Sequence, residues 1–275
     1  MLFGVLPPYR EGVVADREWM AGFAQAADEL GFESIYAVER ITGGRPPLPL
    51  DCAVPDPLDL LAFLAGVTDR LVLATAVLVL PLHSTVGLAK RLATVDRLSG
   101  GRLRLGVGVG SARGEFDALG VDFATRGARA DEMIDALRVL WASDVASFNG
   151  RYVAFDGVVS RPRTVRPGGV PIHIGGHSRA AASRAGRLGD GFHPVGLEGE
   201  ALSEALRVLW ESAVQAGRDP DAIELTLGAR LDAVDDAAIA RAAGFGATRM
   251  VLSTSERRLD DARAALERFA DRHLR

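Results

Sequence analysis

Apolar runs of strand length alternate with longer amphipathic segments along almost the whole chain, and eight such pairs can be counted. The predicted strands cover residues 2–6, 34–38, 71–80, 103–109, 170–174, 191–195, 223–231 and 249–253. The predicted helices that follow them cover residues 17–30, 57–67, 85–98, 127–141, 179–188, 199–216, 235–243 and 256–272.

The order and number of these pairs indicate a (β/α)8 barrel. Strands that are apolar throughout are typical of parallel sheets covered on both faces, and eight pairs in about 250 residues match the size of such a barrel. A doubly wound open sheet uses the same alternation, but eight pairs with no strand left over favour closure. We therefore expect one domain, residues 1–275, with an insertion at 142–169 before the fifth strand, where RYVAF (151–155) predicts a small hairpin.

The composition argues against several classes of protein. The 275 residues carry a formal net charge of −4 and no block of lysine and arginine, which gives nucleic-acid binding no support. The longest apolar run, starting at Leu71, has about half of the roughly 20 residues that a membrane span needs. Because Cys52 is the one cysteine of the sequence, an internal disulfide and a cysteine-based zinc site are excluded. The sequence also has no H-E-x-x-H motif, which argues against a histidine-based zinc site. Since no signal-peptide pattern is present, we expect a cytoplasmic protein.

The stretch LRLGVGVGSARGE (103–115) resembles a phosphate-binding loop at first sight. Its glycines do not fit the G-x-G-x-x-G spacing of a dinucleotide fingerprint, and no G-K-[ST] follows. With the two-residue period of a strand, Arg104, Gly106, Gly108 and Gly110 share one face. Such a strip allows two interpretations: close packing against a bulky neighbour, or contact with a flat ligand at the barrel mouth.

The other strand ends gather polar residues at the same mouth. They are Pro7–Arg10, Glu39 and Arg40, Pro81–His83, Ser111, Arg113 and Glu115, Gly175–Ser178, His193, Arg230 and Asp232, and Ser253–Ser255. The GGHS run (175–178) has the greatest chemical specificity, because two glycines and a serine at a helix start can bind a phosphate. The alternative is an ordinary turn in which Ser178 caps the next helix.

Four segments together resemble the luciferase-like monooxygenase superfamily, and most closely its F420-dependent branch. They are ADELGFESIYAVERI, the run from DPLDLLAF through DRLSGGRLRLGVGVG, EFDALGVDFATRGARADEMIDALRVLW, and VPIHIGGHSRAAASRAGRLGDGFHPVG. The resemblance implies a (β/α)8 barrel with F420 or FMN in its mouth. It also implies a cis peptide bond between Ala76 and Val77, beside Thr75, that supports the ring.

By the same resemblance, Gly108, Gly110 and Ser111 would let the ring approach the backbone. Gly175, Gly176, His177 and Ser178 would hold the cofactor phosphate. Many relatives have Asp-His at the end of the second strand, where this chain has Glu39-Arg40. Arg40 stays protonated and cannot act as a base. The catalytic candidates at this mouth are therefore Glu39, Arg40, His83 and Glu115, with the acid–base role open among Glu39, His83 and Glu115.

The cofactor decides the chemistry. F420 would make the chain an oxidoreductase that transfers a hydride to or from a small organic substrate, and we expect this cofactor. The alternative is FMN, in a monooxygenase that uses FMNH2 and O2 and depends on a separate flavin reductase. A third possibility is a barrel that binds flavin without turnover. Residues 42–55 and 142–169 are expected to cover the substrate, and a homodimer is possible.

Overall fold

The computed structural model describes residues 1–9, 13–41 and 54–274. The strands are β1 Leu2–Leu6, β2 Ser34–Ala37, β3 Val72–Thr75, β4 Leu78–Val79, β5 Leu103–Gly108, β6 Ala146–Asn149, β7 Ala154–Val158, β8 Ile172–Gly175, β9 Gly191–His193, β10 Glu224–Arg230 and β11 Ala247–Ser253. The helices are α1 Arg17–Leu30, α2 Pro57–Ala65, α3 Thr85–Leu98, α4 Arg113–Ala118, α5 Arg126–Ala142, α6 Arg179–Leu188, α7 Gly199–Gln215, α8 Asp236–Gly244 and α9 Leu259–His273.

The main sheet closes on itself as a parallel barrel, which confirms the predicted (β/α)8 fold. Its strands follow the order β3-β2-β1-β11-β10-β9-β8-β5-β4, and β3 also pairs with β5. β3 and β4 together occupy one of the eight strand positions of the barrel, each of which we call a stave. β3 pairs with the first half of β5 (Leu73 with Leu103), and β4 pairs with its second half (Leu78 with Val107). The barrel therefore has eight staves and one mouth, at the carboxyl ends of the strands.

The third stave differs from the single strand predicted at 71–80. The chain leaves the sheet after Thr75, the peptide bond between Ala76 and Val77 is cis, and pairing resumes only at Leu78. Residues Leu80–Leu82 then form a 3-10 turn. An unbroken apolar run carries no sign of this interruption, because every one of these residues remains buried or partly buried.

The insertion forms a hairpin whose position differs from the prediction. β6 and β7 pair antiparallel, and RYVAF supplies the turn and the start of β7 rather than both strands. Phe148 and Phe155 stack across the pair at 6.0 Å. The carboxylate of Glu132 in α5 accepts hydrogen bonds from the backbone N–H groups at 151–153, at 2.9, 2.7 and 3.1 Å. This carboxylate fixes the turn to the helix.

The amino-terminal end of the barrel is filled by ion pairs. Arg249, only 2% exposed, contacts Glu33 at 2.9 Å and Glu224 at 2.9 Å, and Arg104 contacts Glu33 at 2.8 Å. Burial opposes ionisation, but hydrogen bonds from Arg104 and Arg249 lower the pKa of Glu33 to about 2. A buried arginine needs such partners. With this end closed, ligands have access to the interior from the mouth.

Within the described residues, no helix is long and apolar enough to cross a membrane.

Candidate active site

Glu39 and His83 form the central contact of the mouth. Oε1 of Glu39 lies 2.8 Å from Nε2 of His83, and Oε2 accepts a hydrogen bond from the backbone N–H of Val79 at 2.5 Å. Glu39 is buried, and His83 is partly buried. Both carboxylate oxygens are therefore held, one by the backbone of β4 and the other by the imidazole.

The end of β2 is held in place from the opposite side by Tyr9. Its hydroxyl donates to the carbonyl of Tyr36 at 2.9 Å and accepts from the N–H of Val38 at 3.0 Å. The next residue is Glu39, so this pair of hydrogen bonds fixes the backbone that carries the carboxylate. Burial raises the pKa of Tyr9 well above its ordinary value, which keeps the hydroxyl protonated.

Glu115 joins the same part of the mouth from α4. It is 3% exposed, and its Oε1 accepts a hydrogen bond from the N–H of Ile41 at 3.0 Å. Arg40, between Glu39 and Ile41, is exposed. All four predicted catalytic residues thus meet at the segment 39–41: Glu39 and Arg40 belong to it, His83 contacts Glu39, and Glu115 contacts Ile41. The prediction missed α4, because six residues containing Gly114 show too little apolar periodicity for a helix.

The glycine strip of β5 is packed, not bare. A Cβ atom added to Gly106 would overlap the carbonyl oxygen of Thr75, whose hydroxyl donates to the Gly106 carbonyl at 2.6 Å. A Cβ at Gly108 would lie 2.6 Å from Cγ2 of Val77. Close packing therefore explains these two glycines. We expected open backbone at Gly108 for the cofactor ring to approach. The structure instead has the side chain of Val77 over this glycine.

The two remaining predicted contacts at β5 lie nearer the mouth. Gly110 has φ +78, a conformation that favours glycine, and a Cβ there would lie 2.6 Å from Val79 and 2.9 Å from Phe116. Ser111 is exposed. Val77 also covers Gly175 of β8. Val77 thus packs over β5 and also over β8, the strand that follows β5 around the barrel.

The GGHS run forms a capped helix start. Gly176 has φ +136, and its N–H donates to the carbonyl of His193 at 3.2 Å. The side chain of Ser178 accepts from the N–H of Ala181 at 3.2 Å, so Ser178 caps α6 as one interpretation predicted. The other N–H groups of the first turn have no acceptor inside the helix. His177 and Ser178 are exposed, which leaves this turn accessible.

Tyr36 and His193 form the floor of the mouth. The sequence places His193 at this mouth without assigning it a role, and Tyr36 was not predicted. Their rings meet edge to face at 6.3 Å, above a small cavity that His173 and Thr226 also line. Burial, together with Arg249, lowers the pKa of His193 to about 4. Burial, Arg104 and Arg249 lower the pKa of His173 to about 3. Both imidazoles are therefore neutral near pH 7. The signal in the sequence is a tyrosine inside an otherwise aliphatic strand.

The described residues hold no group of three or more His, Cys, Asp or Glu that could bind a metal ion. Arg10, Cys52 and most of the predicted substrate-covering loop at 42–55 lie outside the described ranges.

The family model for luciferase-like monooxygenases matches residues 1–273. The chain belongs to this family. It is 30% identical over 266 residues to an uncharacterised protein of Mycobacterium tuberculosis, with 91% of this chain and 92% of that protein covered. The family consists of oxidoreductases with F420-dependent and FMNH2-dependent members.

Relatives with each cofactor are similar to the chain. An F420-dependent glucose-6-phosphate dehydrogenase of Nakamurella multipartita is 31% identical over 236 residues, covering 79% of this chain and 66% of that protein. An FMNH2-dependent dimethylsulfone monooxygenase of Pseudomonas putida is 32% identical over 190 residues, covering 68% and 51%. The crystal structure of the monooxygenase RslO1 from Streptomyces bottropensis superposes with a TM-score of 0.84 at 23% identity, covering 100% and 99% of the two chains. This last likeness concerns the fold.

Proposed function

We propose that the protein is an F420-dependent oxidoreductase that transfers a hydride between F420 and a small organic substrate. The observation that carries this proposal is the Glu39–His83 pair at the mouth. A hydride transfer to or from a carbonyl or alcohol carbon needs a group that moves a proton to or from the oxygen. The F420-dependent relative also matches more of this chain than the FMNH2-dependent one, 79% against 68%.

The residues of the mouth fit a phosphate-bearing, flat cofactor. The first turn of α6 offers N–H groups without intrahelical acceptors, beside the exposed Ser178. Gly176 takes a backbone conformation that brings this turn close to the strand ends. We propose that Gly175–Ser178 hold the phosphate, and that Thr75, Ala76, Val77, Gly110 and Ser111 contact the ring side of the cofactor. Gly108, which Val77 covers, would support the ring through that side chain. F420 supplies hydride transfer when bound.

The proton-transfer role belongs to His83 in this proposal. When Nε2–H donates to Glu39, Nδ1 carries the free lone pair and can accept a proton, and the protonated ring can return it. Glu39 is a positioning residue that fixes this tautomer and the ring orientation. Glu115 holds the backbone at Ile41, and Arg40, exposed between them, is a candidate for contact with an anionic substrate group.

FMN is the second candidate, supported by the dimethylsulfone monooxygenase relative. In that case the chain would be a monooxygenase that uses O2 and FMNH2 from a separate flavin reductase.

We further propose that the substrate is a small organic molecule and that the protein is cytoplasmic. We also propose a homodimer, which sedimentation velocity tests.

Titration of the purified protein with F420 and with FMN, followed by ligand fluorescence, tests the choice. We expect saturable F420 binding at least about tenfold tighter than FMN binding. Tight FMN binding without F420 binding would replace the first candidate by the second. Turnover then separates both from the third possibility: a protein that binds either cofactor but oxidises or reduces no alcohol, aldehyde or ketone of a substrate panel would be a binding barrel.

A further inference from the structure

A second cavity opens beside the mouth, between the end of β10 and helix α9. It has a volume of about 670 Å3, inside the range of small-molecule pockets. Leu6 and Ser253 line it from the strand ends, Leu231 and Val234 from the segment after β10, and Arg268, Phe269 and Arg272 from α9. We call this cavity the α9 cleft.

The α9 cleft exists because α8 covers little of the barrel. Of the nine residues of α8, only Ala242 is buried. Helix α9 packs on the barrel through Phe269, which stacks on Phe32 at 5.7 Å, meets Phe3 edge to face at 5.1 Å and also borders the cleft. One face of α9 is thus part of the core, and the neighbouring face lines the cleft.

The cleft combines an apolar wall with two available cations. Leu231, Val234 and Phe269 are buried side chains. Arg268 and Arg272 are one helical turn apart and exposed, and in the described part of the chain neither guanidinium has a hydrogen-bonded or ionic partner. Arg230 differs, because Asp232 binds it at 2.5 Å.

Two further groups set the polarity along the cleft. Glu256 lines it three residues beyond the end of β11, on the mouth side. His273 lines it at the end of α9; its side chain is 6% exposed and its Nε2 has no hydrogen-bond partner in the described residues. Among the described residues that line the cleft, the two arginines without a partner therefore lie on the carboxyl-terminal half of α9, and Glu256 lies on the mouth side.

We propose that the α9 cleft binds an organic anion with an apolar body. Its carboxylate or phosphate group pairs with Arg268 and Arg272, as arginines bind oxyanions. The apolar body packs against Leu231, Val234 and Phe269. Because Leu6 and Ser253 belong to the barrel mouth, such a molecule reaches the strand ends. The assignment of a substrate class rests on the proposed function. With that function, an organic anion with an apolar body is the class of substrate that the enzyme oxidises or reduces.

The binding of octanoate, measured by isothermal titration calorimetry on the cofactor-free protein, tests the proposal, with octan-1-ol as the uncharged probe. We expect octanoate to bind and octanol to bind at least about tenfold more weakly. Arg268→Ala and Arg272→Ala should each weaken octanoate binding several-fold, and the double variant should lose about tenfold or more. Arg263→Ala, an exposed arginine of α9 outside the cleft, should leave it unchanged.

Three results with octanoate would overturn the proposal: no octanoate binding to the wild-type protein, equal binding of octanoate and octanol, or undiminished octanoate binding by the double variant. A parallel F420 titration of the double variant keeps the two proposals apart. Unchanged F420 affinity supports a separate anion cleft. Loss of F420 affinity in a folded double variant would assign the arginines to the cofactor and overturn the cleft as a substrate site. Octanoate binding is measured without cofactor, so it does not depend on the identity of the cofactor.

Discussion

The carboxylate of Glu39 bridges the imidazole of His83, at 2.8 Å, and the backbone N–H of Val79, at 2.5 Å. β2 and the segment after β3 are thereby joined at the mouth by one side chain. The bridge has a structural role as well as a place in the proposed chemistry. Its two roles can be separated by substitution.

Glu39→Ala should lower the free energy of unfolding by about 1–3 kcal/mol, because the buried N–H of Val79 loses its acceptor. Glu39→Gln should cost less, since its amide oxygen can still accept that hydrogen bond, yet it removes the charge that orients His83. Urea unfolding followed by circular dichroism measures both variants. Equal destabilisation by alanine and glutamine would contradict the bridging role.

Gly108→Ala should destabilise the protein by about 1–3 kcal/mol, because its Cβ would press on Val77. Val77→Ala in the same chain should recover part of that loss, since it removes the opposing methyl groups. Gly106→Ala should not be recovered in this way, because its Cβ would meet the backbone carbonyl of Thr75. The control is Gly114→Ala, which meets no atom within 4 Å. If the effects of Gly108→Ala and Val77→Ala on the free energy of unfolding are additive, the contact between these two positions does not contribute to stability.

The glycine strip also shows what can and cannot be predicted from the sequence. The two-residue period placed Gly106, Gly108 and Gly110 on the inner face of the fourth barrel strand. The occupant of the space above them depends on a neighbouring stave. Val77 lies over Gly108 where the chain leaves the sheet after Thr75 and returns at Leu78, and no periodicity in an apolar run marks such a break.

The same limit applies to the site. Glu39 and His83 could each be placed at a strand end, because parallel strands all end at the mouth. Their mutual hydrogen bond could not be predicted, since it depends on how far the 3-10 turn at Leu80–Leu82 carries His83. The α9 cleft was missed for another reason: the segment 235–243 has helical periodicity, and only the structure shows that the helix buries little more than Ala242.

Stability should fall as the pH drops below about 6.5, because His173 and His193 are held neutral in the folded protein. Their pKa values are lowered to about 3 and about 4. Above the ordinary histidine pKa of about 6.5, neither the folded nor the unfolded chain binds these protons, and the full stability is present. Below it, the unfolded chain binds protons that the folded chain does not bind. The free energy of unfolding then falls by up to about 1.4 kcal/mol per pH unit for each histidine.

The measurement is the free energy of unfolding between pH 7.5 and about pH 5. His193→Asn should flatten the slope relative to the wild type, since one of the two groups no longer titrates. His177→Asn, at an exposed position, should leave the slope unchanged. A slope that is identical in all three proteins would show that His193 titrates alike in the folded and unfolded states.

Ser178→Asp separates helix capping from phosphate binding at the start of α6. Aspartate is as good a cap as serine and its charge suits the helix N-terminus, so the free energy of unfolding should change by no more than about 0.5 kcal/mol. The same charge repels a cofactor phosphate, and the affinity for F420, or for FMN in the second candidate, should fall by about tenfold or more. Ser178→Ala is the matched control: it removes the cap, costs about 1 kcal/mol of stability, and should weaken cofactor binding much less. If the aspartate variant binds cofactor as tightly as the wild type, the phosphate does not lie at Gly175–Ser178, and the exposed amides of the α6 turn serve only the fold.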